Sequence, residues 1–427
     1  MPNLTSAQEF QHILKRPIID YKGSFHRDYF PLDVSGLDTC TTDFGLEKVC
    51  FEIDHPRISD LKIELLSPSG QSIWLSNRNG GDQGRNYQST CLSQNGFKGY
   101  IFEGFAPYGG DYIPDGRMGI LNNNSDPNGT WFLIISDLAE GETGILKSWK
   151  LTFGDMPAIE TASFCTEENP SACICDDLST DCLLLPDLIV SYKISANHHR
   201  VYDESHQRYA HQIRLAAALA NVGDGPFEFE STDTWLCGTD TVSGSQKCDD
   251  GHYSRCLVNQ RIYNRKNDSF AYVERPAGTI YFSDEPGHDH FHADNWVSFK
   301  LLKKRWYSSK YEKYKEVKKG SKISYCLFDS GICTEENGFC QDENGGFYGV
   351  EDLPNYGLGT YNSCESSRQG ISVGGLDYYG LDFEGQLIQL DGKLRKCRYL
   401  IEVTVDPENK FLEKNESNNT IYLPLEI

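Results

Sequence analysis

The chain has 427 residues, 38% hydrophobic and 24% charged, which is a globular balance and too long for one ordinary core, so two or three domains are expected. A formal net charge of −22 argues against nucleic acid as a partner, because phosphate binding needs a basic footprint, and favours cationic partners by long-range steering. No apolar run approaches the ~20 residues needed to cross a bilayer, so a membrane-spanning chain is not expected. Fifteen cysteines against three methionines fit an oxidising compartment, and the odd count leaves at least one thiol free unless two chains are joined. Six Asn-x-Ser/Thr triplets, Asn128 among them, would accept glycans there. The expected location is secreted or cell-surface. Nothing in the sequence fixes the oligomeric state.

Residues 1–23 read as an N-terminal extension without the apolar stretch of an intact signal peptide. Residues 24–156 then alternate short apolar runs with Gly, Asn, Asp and Pro: "KVCFEI", "DLKIELLSPSG", "SIWL", "GTWFLIISD" and "GILKSWKLTFG". Each run is too short for a typical helix and is bounded by turn formers, the pattern of a β-sandwich. "DHPRISDLKIELLSPSGQSIWL" with "DPNGTWFLIISDLAEGETGILKSWKLTFG" resembles the P domain of proprotein convertases. The resemblance implies a jelly-roll accessory module, and with only residues 1–23 before it in this sequence, subtilisin-type proteolysis is not expected. Asp60, Asp111, Asp115 and Asp137 are candidate oxygen ligands for calcium in this module.

Residues 157–185 lose strand periodicity and carry Cys165, Cys173, Cys175 and Cys182. A linker braced by disulfides is expected. The spacing C-x7-C-x-C-x6-C lacks the paired C-x-x-C of common zinc sites.

From residue 186 to 427 the β character returns in "LPDLIVSYKI" (beginning at Leu185), "HQIRLAAALANVG", "GTIYF", "WVSFKLL", "KISYCLF" and "YLIEVTV". "YSSKYEKYKEVKKG" is polar enough to be a solvated, turn-rich stretch. Within this half, "GHDHFHADNW" places His288, His290 and His292 two residues apart. On a strand such residues share a face, so three imidazoles point the same way. Three aligned histidines would repel one another if protonated, and a bound metal removes that conflict. Neutral imidazole suits copper, zinc, iron or nickel, so the triplet alone does not choose. Jelly-roll dioxygenases also use H-x-H.

The histidines, "KGSKISYCLFD", "QGISVGGLDYYGLDFEGQLIQL" and "YLIEVTVDPENKFLEKNESNNTIYL" together, in that order, resemble the catalytic domain of lysyl oxidases. The resemblance covers about residues 186–427. It implies copper held by His288, His290 and His292, and a lysine tyrosylquinone (LTQ) cofactor made from Lys322 and Tyr379. The chemistry agrees with that pairing. Oxidising a tyrosine ring needs a redox metal and O2, which favours copper over zinc, and a lysine adds only when unprotonated. A carboxylate would then remove the substrate's α-proton. Asp377 and Asp382 flank Tyr379, and Asp294 follows the histidines, so these are the candidate bases. Two departures from the animal family stand out. "SDEPG" before the histidines lacks the family's extra histidine and cysteine, so Cys364 is expected to lose its partner. Cys340 and Cys397 look like additions.

The sequence therefore reads as a secreted all-β protein: an N-terminal jelly-roll β-sandwich followed by a C-terminal lysyl-oxidase-like β-sandwich. The expected activity is oxidative deamination of primary amines, peptidyl lysine in lysine-rich proteins or small alkylamines, with O2 as oxidant. The alternative is a non-enzymatic binding or adhesion protein whose three histidines hold a structural metal. A cupin-like dioxygenase would need a fourth, distant His or Glu ligand.

Overall fold

The computed structural model describes residues 7–122, 124–160, 163–304, 314–349, 353–362, 364 and 367–426, leaving aside the side chains of residues 321 and 322. Strand accounts for 48% of the described residues and helix for 5%, so the all-β expectation holds. The chain divides into two compact units. One comprises residues 1–161 with 285–287, the other 162–284 with 288–427.

In the first unit, a five-stranded sheet runs in the order Gln8–Pro17, Ile145–Gly154, Gly45–Asp54, Tyr87–Leu92, Gly110–Tyr112. A four-stranded sheet runs Asp28–Val34, Gly129–Asp137, Leu61–Leu66, Ser72–Asn77. Asp28–Val34 shows why these segments are strands: Phe30, Leu32 and Val34 are buried while Tyr29 and Asp33 are exposed, the period of two that one covered face demands. The apolar faces of both sheets form one core, with Trp131 of one edge-on to Phe153 of the other at 5.7 Å. Cys50 and Cys91 are register partners and form a disulfide. The segment read as an extension contributes a sheet strand, because Gln8–Pro17 pairs with Ile145–Gly154.

In the second unit, the main sheet is ten-stranded. Its central path runs Asp240–Val242, Phe227–Cys237, Arg255–Lys266, Ser269–Ser283, His290–Lys304, Arg398–Val405, Thr420–Glu426. Tyr314–Tyr325 pairs with His290–Lys304 as well. A four-stranded sheet orders Leu188–Val190, Ala217–Asn221, Gly375–Tyr379, Gly331–Ile332. Two local readings change. "LPDLIVSYKI" is a strand only over Leu188–Val190, and Tyr192–Asn197 forms a short helix. Of "YSSKYEKYKEVKKG", residues 307–313 lie outside the described residues, and the remainder is strand, because Lys315 to Lys319 pair with the neighbouring strand.

Cys165–Cys173 and Cys175–Cys182 brace the linker, as the spacing suggested. One cysteine differs from expectation. Cys364 has a partner, Cys326, at a Cα separation of 5.4 Å, and Cys333 pairs with Cys340. The tertiary fold brings residues 38 apart into bridging distance, which local spacing does not reveal. Cys40 and Cys256 are buried free thiols, and Cys397 is half-buried and free.

Candidate metal and tyrosine site

His290 opens the strand His290–Lys304, so His290 and His292 project to one side by strand alternation. His288 precedes the strand. It joins them because Asp289 takes a left-handed backbone (φ 55°), which turns the chain before pairing begins. The strand expectation thus holds for two of the three histidines, and a turn places the first. Their ring centroids lie 5.5 Å (His288–His290), 4.7 Å (His288–His292) and 5.0 Å (His290–His292) apart. One nitrogen from each falls within 4.8 Å of the other two.

His288 Nδ1 is 2.8 Å from His292 Nε2, while His288 Nε2 is 3.3 Å from Glu384 Oε2. That is the division of labour expected of a ligating imidazole: one nitrogen faces the shared point and a carboxylate orients the other. His292 is buried, and burial together with the neighbouring His288 ring pushes its pKa well below the ordinary value. The neutral form that results is the form that ligates. The donor set therefore fits a metal that accepts three imidazoles.

Tyr379 ends the strand Gly375–Tyr379, between Ala217–Asn221 and Gly331–Ile332. Asp377, two residues earlier, shares its face. The Tyr379 hydroxyl donates to Asp377 Oδ2 at 2.6 Å and also meets the Cys326 carbonyl oxygen. Both side chains are buried, and burial pushes both pKa values well above their ordinary ranges. The Tyr379 ring lies flat on Tyr325, with centroids 3.5 Å apart and planes 11° from parallel.

Cys326 links the two halves of the site. Its carbonyl meets Tyr379, and its sulfur and that of Cys364 lie within 4.8 Å of a His290 nitrogen. Residues 239–426 match the lysyl oxidase family model, and residues 48–105 match the proprotein convertase P-domain model. The chain carries a P-domain followed by a lysyl oxidase domain. Two crystal structures of a serine protease of Aeromonas sobria, one in complex with its chaperone ORF2, align at 17% identity. They cover 36% and 35% of this chain with TM-scores of 0.21 and 0.20, and this chain spans 28% of each of them. At those scores neither alignment bears on fold or function.

Within the lysyl oxidase domain, Lys322 sits in the strand Tyr314–Tyr325 with its backbone opposite Ser298, and its side chain lies outside the described residues. The other two candidate bases are engaged. Asp294 forms an ion pair with Arg255 at 2.5 Å and accepts from Thr279 at 3.0 Å, while Asp382 accepts from the Tyr209 hydroxyl at 3.0 Å. Sequence reasoning missed Glu384 and Tyr325. Glu384 lies 96 positions from His288, so no local pattern flags it. Tyr325 was legible as the aromatic of the "SYCL" stretch, but its stacking on Tyr379 was not.

In the P-domain unit the four aspartates do not converge: among the described residues, no three of them bring oxygen atoms within 4.8 Å of one another. Asp111 pairs with Lys48 at 2.7 Å, Asp115 accepts from Asn77 and Asn79, Asp137 meets His55 at 3.2 Å, and Asp60 lies 3.6 Å from Arg57. No described helix is long and apolar enough to cross a membrane.

Proposed function

We propose that the protein is a secreted copper-dependent amine oxidase, acting on peptidyl lysine or small alkylamines. The balanced reaction is RCH2NH2 + O2 + H2O → RCHO + NH3 + H2O2. The carrying observation is a three-imidazole cluster that shares Cys326 with a buried tyrosine, inside the segment that matches the lysyl oxidase family. His288, His290 and His292 would hold copper, and Glu384 would orient His288. Bound copper would supply one-electron redox chemistry and activation of O2.

Lys322 and Tyr379 would supply the quinone. Joining them takes up two O2 and releases one H2O and one H2O2, so four hydrogens leave the pair and one oxygen enters. LTQ made from these two residues would supply an electrophilic carbonyl for the substrate amine. Asp377 is the candidate base, because it touches the Tyr379 hydroxyl and burial raises the proton affinity of its carboxylate. Six disulfides support an oxidising, extracellular setting.

The test is copper loading in air, followed by peptide mapping and titration with phenylhydrazine. A peptide joining Lys322 to Tyr379 is expected. Lys322→Arg and Tyr379→Phe should retain copper without forming the quinone, and His292→Ala should lose both. Bound copper with Lys322 and Tyr379 unmodified in the wild-type chain would favour a binding protein with a structural metal.

A further inference from the structure

Tyr325 stacks on Tyr379 in an arrangement that two phenols do not prefer. An aromatic ring carries a negative face and a positive edge, so like rings favour offset or edge-to-face contact over a flat sandwich. Here the centroids are 3.5 Å apart and the planes within 11° of parallel. Phe383, by contrast, meets Tyr379 edge-on, at 87° and 6.2 Å.

The surroundings fix the Tyr325 ring. Its backbone pairs with Ala293, next to His292, and its hydroxyl oxygen accepts from Gln386 Nε2. Cys326, the next residue, is tied to Cys364 and meets the Tyr379 hydroxyl through its carbonyl. Tyr325 and Gln386 are both buried.

A quinone ring is electron-poor, so the polarity of its face is reversed. Laid flat on an electron-rich phenol it is attracted where a second phenol is not. We infer that Tyr325 is a positioning residue for the oxidised form of Tyr379, a face-to-face platform whose electron-rich ring favours the quinone over the phenol. This rests on the amine oxidase reading and goes beyond it by giving a role to a residue that neither ligates metal nor joins the cofactor.

The experiment compares wild type, Tyr325→Phe and Tyr325→Leu, each loaded with copper in air. Copper per chain, phenylhydrazine-reactive quinone per chain, the quinone's visible absorption, and kcat and KM are measured separately. Tyr325→Leu should bind copper as wild type does, accumulate quinone about five-fold more slowly, and show its visible band at shorter wavelength because the donor ring is gone. Tyr325→Phe keeps a ring that is a weaker donor, so its band should shift less and its quinone yield should approach wild type. The loss should fall on kcat rather than KM.

A wild-type band and rate in copper-loaded Tyr325→Leu would overturn the inference. If that variant does not fold, Tyr325→Phe decides: a shifted band supports the platform and an unshifted one overturns it. A wild-type chain that binds copper yet yields no phenylhydrazine-reactive peptide defeats the oxidase reading itself, an outcome distinct from either result with the variants.

Discussion

Asp115 shows how one buried group sets a pH response. Its carboxylate accepts from the Asn77 backbone N–H at 2.7 Å and the Asn79 amide at 2.6 Å, yet burial pushes its pKa up to about 7. The folded state therefore binds this proton more tightly than the unfolded state does. The resulting stabilisation is complete below the ordinary aspartate value, declines as pH rises towards about 7, and is gone above it. The span corresponds to about 4 kcal/mol. Asp115→Asn fixes the neutral form, so the variant should gain on wild type between pH 4 and 8 in urea unfolding of the full chain. A constant difference across that range would count against this assignment. Residues of this kind are poorly legible in sequence: Asp60, Asp111, Asp115 and Asp137 looked alike as candidate calcium ligands, and only their separate partners distinguish them.

Elements build the site by holding strands in register. The strand Phe227–Cys237 begins with Phe227 and Phe229 inward. Phe227 packs against Trp296 at 4.9 Å and Phe411 at 4.7 Å, and Trp296 lies on the strand that His290 opens. Phe227→Ala should cost about 3–5 kcal/mol through lost burial and the cavity left behind. Chemical denaturation would read that cost, and copper affinity measured at low temperature should fall with it, because the histidine strand loses a packing partner. A loss under 1 kcal/mol would mean that the neighbouring rings close the gap. At this scale the sequence was informative for strands with alternating burial, such as Asp28–Val34, and less so for fully buried ones. Gly375–Tyr379 is buried at all five positions, so alternation cannot mark its faces.

At the scale of the whole chain, charge is the dominant fact. With −22 formal charges, the protein should attract lysine-rich peptides more than monoamines, and salt should weaken that preference. Raising salt from about 0.01 to 0.1 M shortens the Debye length from ~30 to ~10 Å. Over that range kcat/KM for an oligolysine peptide should fall several-fold more than for a small alkylamine. Equal falls for both would show that the net charge does not steer the substrate.

The sequence by itself determined the all-β class, the bracing of the linker by disulfides and the proximity of the three histidines, because each is written in short-range spacing, while the order of the two domains came from longer stretches that resemble known families. Period-two burial, turn formers and H-x-H-x-H act within a few residues. Tertiary structure alone decided the Cys326–Cys364 pairing, the carboxylate of Glu384 behind His288, and the Tyr325–Tyr379 stack. Those contacts depend on which strands become neighbours and in which register, and that is fixed by burying a whole core rather than by any local pattern.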